Sequence, residues 1–215
     1  MAGAGVDGKG GGVIASTATE VMPQAMAEPS VPGLTFFRRN LACGQTAFAG
    51  FWAVRAVLAG GLDGPARSVA ICAVVVATAL VVVGGLRRIG PVARPDFSHP
   101  AARGLGRRLT AATVAQLVGS VALGALIGSA GWGEWAVPSL VATIGLFLVV
   151  AGRDLAVALT VALGCAMTIG ALLAPLILEA TSAGTVLAAG TAALLTASGL
   201  ACFRQAGPVS APMPG

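Results

Sequence analysis

Charge is what this chain has least of. Charged residues make up 10% of its 215 positions, where a soluble domain carries roughly 25%. Only eight residues are acidic, and none of them falls inside a long apolar run. That excludes a carboxylate proton relay of the usual intramembrane kind. It also removes the aspartate pairs that acid-dependent lipid-phosphate chemistry needs. Histidine occurs once, as His99 beside Pro100, so neither an H-E-x-x-H helix nor a convergent ligand cluster can form, and no metal is expected. The chain lacks a G-x-S-x-G elbow and a Walker loop, which excludes the common serine hydrolase arrangement and ATP-driven transport by this chain alone. Tyrosine is absent. The four cysteines, Cys43, Cys72, Cys165 and Cys202, form no C-x-x-C pair. They read as small core-filling residues rather than redox or metal groups, and no cofactor is expected.

What is present is apolar: 56% of the residues are hydrophobic, in long uninterrupted runs. Six segments stand out, at about 41–62, 69–86, 109–131, 135–152, 155–178 and 184–203. At 1.5 Å per residue each is long enough to cross a hydrocarbon core of about 30 Å. The expected fold is an all-α bundle of six transmembrane helices occupying 38–204. The first 37 residues, rich in glycine and proline, read as a disordered tail, and 205–215 as a shorter one. No basic start followed by an apolar core precedes Arg38, so the first segment is expected to be a retained signal anchor.

Twelve of the thirteen basic residues are arginines, and they sort by loop. Arg38, Arg39, Arg87, Arg88, Arg94, Arg103, Arg107, Arg108, Arg153 and Arg204 share one side, while Arg67 stands on the other with Asp63, Glu134 and Glu179. The positive-inside rule then places both termini in the cytoplasm and the protein in a bacterial-type cytoplasmic membrane, with Trp132 and Trp135 at the outer interface. The net charge of +5 points to anionic lipid headgroups at the inner face rather than to nucleic acid.

Helices in lipid associate where small residues allow close approach. Candidate seams are Ser120, Gly124 and Gly128 in the third segment, Gly164 and Thr168 in the fifth, and Gly184, Ala188 and Ala192 in the sixth. The same faces suit a homo-oligomer or a partner membrane protein. Pro138 fits the first turn of the fourth helix, and Pro175 the last turn of the fifth. Gln45 and Gln116 lie at comparable depth, so an amide hydrogen bond between them, worth about 0.6 kcal/mol, is expected, with substrate binding as the alternative. Arg153 and Asp154 read as a turn closed by a local ion pair, with half of an inner gate as the alternative.

Arg55 is the one charged residue well inside a segment, about 10 Å below its outer end. Two readings compete for it. It can anchor an anionic substrate, or pair as a gate with Glu134, Glu179 or Asp63; alternatively its long stem reaches outward to the interface.

From the third segment onward the sequence resembles a group of small six-helix bacterial membrane proteins of unknown function. The resemblance rests on Gly131-Trp132-Gly133-Glu134-Trp135-Ala136-Val137-Pro138, the Gly145-Leu146 step and Arg153. It implies the six-helix architecture and no activity. Where those proteins continue the Gly-Leu step with a His-Phe-x-Pro run, this chain has Phe147, Leu148, Val149 and Val150. Two functions are carried forward. One is a non-enzymatic, transporter-like or accessory membrane subunit; the other is a membrane-embedded enzyme acting on a lipid or isoprenoid.

Overall fold

Glycine and proline set where the helices begin and end. The computed structural model describes residues 33–207, and the two expected tails, apart from their helix-proximal residues, lie outside them. Gly33 turns the chain at φ 85°, a left-handed conformation that suits a residue without Cβ, and α1 (Leu34–Ala59) follows. Thr35, Phe36 and Phe37 are therefore helical, not part of a tail. Pro65 sits in the first turn of α2 (Gly64–Ile89), and Gly90 ends it at φ 73°. Pro100 opens α3 (Pro100–Ser129) in the same way, so that helix starts earlier than Leu109 and takes up Arg103, Arg107 and Arg108. Gly104 and Gly106 are accommodated in its first turns, and no second proline interrupts the helix, so the polar stretch coils.

A short 3₁₀ turn over Gly133–Trp135 leads into α4 (Ala136–Asp154), with Pro138 in the first turn. Ala156 then adopts φ 52°. Val157 N–H donates back to the Gly152 carbonyl at 2.8 Å, which closes a tight reversal into α5 (Ala158–Ile177). Pro175 lies in the last turn of α5, and α6 (Ala180–Gln205) completes the chain. All six helices are long and apolar enough to cross a membrane. The fold is all-α, as the sequence implies.

The packing is uneven. Helix α6 is the most enclosed of the six, lying against α1 and α5, while α4 and α5 form the other extensive pair. At the α4–α5 crossing the backbones touch: a Cβ on Gly145 would stand 2.7 Å from the Gly164 carbonyl, and one on Gly164 would stand 2.7 Å from that of Gly145. This is the small-residue association available in lipid. Two apolar clusters fill the bundle, one around Trp52, Ile144, Leu148, Met167 and Leu195, the other around Ala42, Leu105, Leu155, Cys202 and Phe203. Helix α2 buries no residue, and α3 packs chiefly along α4. Their exposed valines and leucines suit a surface solvated by hydrocarbon.

One end of the bundle gathers the arginines. The start of α1, the start of α3 and the ends of α2, α4 and α6 meet there. Arg38 Nε donates to the Leu155 carbonyl at 2.9 Å and its Nη1 to that of Gln205 at 3.4 Å. Arg108 pairs with Asp154 at 3.3 Å. Asp154 thus joins α3 to α4, and the local pair expected with Arg153 does not form.

Candidate functional site

Helices α1 and α3 run in the same direction from the arginine-rich end but scarcely touch. Between them lies a groove of about 1400 Å³, backed by Ile144, Phe147 and Leu148 of α4 and Leu195 of α6. Aromatic rings narrow its end. Phe37 meets Phe97 edge to face with centroids 6.4 Å apart, and Gly106 lies under both, so that a Cβ there would come within 3.3 Å of the Phe97 ring. Arg103 and Arg107 line the groove beside this pair. Arg103 is committed to the chain itself, donating to the carbonyls of Phe97 at 2.9 Å and Ser98 at 3.2 Å. Arg107 is exposed and has no hydrogen bond or ion pair among the described residues.

Asn40, Thr110 and Thr113 add polar groups to the lining, and two further amides lie among its apolar residues. Gln45 projects from α1 and Gln116 from α3, both into the groove. The expected bond between them is absent. Instead Gln45 is 4% exposed, and its Nε2 has no partner. Its Oε1 ends a buried polar track: Ser198 Oγ donates to Thr160 Oγ1 at 2.9 Å, Thr160 Oγ1 lies 3.5 Å from Cys202 Sγ, and that thiol points to Gln45 Oε1 at 3.9 Å. The track runs through α6 and α5 to α1. It occupies the amide oxygen and leaves the NH2, itself buried, without a partner on a residue that lines the groove.

An unpartnered buried donor costs about 1–3 kcal/mol in a protein interior. Among the described residues, buried atoms of Arg39, Thr46, Trp52 and Thr191 also lack partners, yet only Gln45 of the five lines the groove. The groove is therefore a largely apolar channel with an unpaired cation and several polar side chains near one end, and an unpartnered, buried amide donor on its wall farther in.

The other sequence-derived candidates lie elsewhere. Arg55 is exposed on α1, its guanidinium 5.8 Å from the Trp52 ring centroid. None of Glu134, Glu179 and Asp63 pairs with it. Asp63 instead binds Arg67 at 2.5 Å, and Arg67 also caps the Leu62 carbonyl at 2.6 Å. Glu134 and Glu179 are exposed.

Of the α3 row, Ser120 Oγ lies 2.9 Å from Thr143 Oγ1 of α4, a polar link between helices. Gly124 and Gly128 face open space, so they form no seam within the chain. The row in α5 does pack, because Gly164 and Thr168 both meet Gly145. In α6, Ala188 and Ala192 are buried while Gly184 faces open space. The cysteines are all free. Cys72 and Cys165 are exposed rather than core-filling, and only Cys202 is buried. No group of three His, Cys, Asp or Glu residues able to hold a metal occurs among the described residues.

Sequence reasoning found both glutamines but read them as partners of each other. Their shared depth was the signal. What it missed was that α1 and α3 stand apart. It also left Arg103 and Arg107 in a loop, and so overlooked their place beside the groove.

No protein-family model, curated protein or solved structure matches this chain. The groove has to be read on its own chemistry.

Proposed function

We propose that this protein is a non-enzymatic, multi-pass membrane subunit, transporter-like or accessory, that holds a membrane lipid in the groove between α1 and α3. The observation that carries this reading is the groove's polarity profile. Its walls are mostly leucine, valine, alanine and phenylalanine, with Arg103, Arg107, Asn40, Thr110 and Thr113 toward one end and the Gln45 and Gln116 amides farther in. An amphiphile matches that sequence of environments; a small polar solute does not. The lining contains no carboxylate, imidazole or thiol, which supports binding over lipid or isoprenoid chemistry. The bias of arginines to one end supports a cytoplasmic-membrane location with that end, and both termini, in the cytoplasm.

Photocrosslinking tests the reading. A diazirine side chain at Val114 or Leu117, on the groove wall, is expected to capture phospholipid that survives detergent washing. The same group at Val76 on exposed α2 should capture only lipid that washing removes before irradiation. Equal capture at both sites would sink the proposal.

A further inference from the structure

We infer that the lipid held in this groove is an anionic diacyl lipid, its phosphate at Arg107 and an ester carbonyl accepting a hydrogen bond from Gln45 Nε2. The inference rests on the groove reading above and specifies the occupant.

The depth of the two groups leads to it. Phe37 lies against Gly106, which fixes the register of α1 on α3 at the arginine-rich end. Gln45 is eight residues beyond Phe37, and Arg107 one beyond Gly106, so Gln45 sits about 10 Å deeper than Arg107 at 1.5 Å per residue. A hydrogen bond of about 3 Å at each end takes up part of that interval. A phosphoglyceride spans it: the phosphate is followed by a glycerol unit and then by ester carbonyls, after which the chains are purely apolar. Those carbonyls are acceptors without a donor of their own, the complement of an amide NH2 that has none to give to.

A polyisoprenyl phosphate offers the same charge but no acceptor below it. It would leave Gln45 unpartnered in a dry site. The polar track explains why the amide does not turn away, since Cys202, Thr160 and Ser198 occupy its other side. Arg108, held by Asp154, and Arg103, held by two carbonyls, leave Arg107 as the free cation of the three.

The test compares lipids that differ in their ester carbonyls, their headgroup or their chain. The full chain in detergent is titrated, with native mass spectrometry as readout, against diacyl phosphatidylglycerol, its dialkyl-ether analogue, diacyl phosphatidylcholine and a polyisoprenyl phosphate. One hydrogen bond recovered from a buried donor should favour the diester over the diether by about fivefold. Gln45→Leu is expected to erase that ratio, and Arg107→Gln to reduce the preference for phosphatidylglycerol over phosphatidylcholine. The wild-type comparison needs no variant, so a failure of Gln45→Leu to fold leaves the test intact. Equal binding of diester and diether, or tighter binding of the isoprenyl phosphate, overturns the ester assignment while leaving the groove occupied. Absence of saturable binding by all four overturns the groove reading as well.

Discussion

Helices α3 and α5 carry similar rows of small residues and use them in opposite ways. In α5, Gly164 and Thr168 press on Gly145 of α4 until the backbones touch. In α3, Gly124 and Gly128 meet nothing within 4 Å. The difference lies in the partner: α4 presents a glycine at the matching level to α5, while of the α3 row only Ser120 meets α4, through Thr143. A small-residue row on its own marks where a helix can be approached. A second small residue opposite decides whether it is. The tightly packed α4–α5 crossing holds the bundle together, and the groove opens where α1 and α3 scarcely touch.

That contrast can be broken from either helix. Gly164→Leu should be the most damaging single change, because its side chain would enter the Gly145 carbonyl and Leu148. A loss of about 3 kcal/mol or more is expected, at the upper end of overpacking effects, with the thermal transition in detergent as the readout. Gly124→Leu should stay within about 0.5 kcal/mol. Similar losses at both sites would mean that the glycine row of α3 is packed after all.

Arg38→Ala removes two charge-assisted bonds to the ends of α4 and α6. An expected cost of about 1.5–3 kcal/mol should appear in the same thermal measurement. Ser120→Ala, which cuts the hydroxyl link between α3 and α4, should cost only about 0.6 kcal/mol.

The smallest effect concerns the connection between α2 and α3. Asp96 accepts the Ser98 hydroxyl at 2.7 Å and the Ser98 backbone N–H at 2.8 Å, and these bonds hold its carboxyl below the usual range. A lowered carboxyl stabilises the folded turn above the ordinary aspartate range. That contribution is lost as pH falls through the lowered value. Asp96→Asn should flatten this acid-side slope, measured as amide exchange over 96–99. An unchanged slope would show that the bonds to Ser98 do not matter for the turn.

Much of the fold was legible because bilayer length and apolar runs leave few alternatives. The six segments follow from them, and the α4–α5 reversal at Arg153 was visible as a charge break. Helix ends were harder. Pro100 starts α3 well inside the arginine-rich stretch, and polar residues conceal a helix from a hydropathy reading. The groove was the least legible part, because separation of two helices leaves no mark in either one. Gln45 and Gln116 were visible as a pair at equal depth. Only the placement of Cys202, Thr160 and Ser198 shows that the Gln45 amide is held from behind. Arg55, the most conspicuous residue by sequence, stands outside the groove beside Trp52.

The claim that the α1–α3 groove holds a lipid is tested most directly by filling it. Gly44 lines the groove with open space at its Cβ, and Gly84 on α2 has the same freedom on an outward face. Lipid retained per chain after purification should fall by about one molecule in Gly44→Trp and remain unchanged in Gly84→Trp, as with engineered cavities that lose their guest when filled. Equal retention in the two variants would contradict the account.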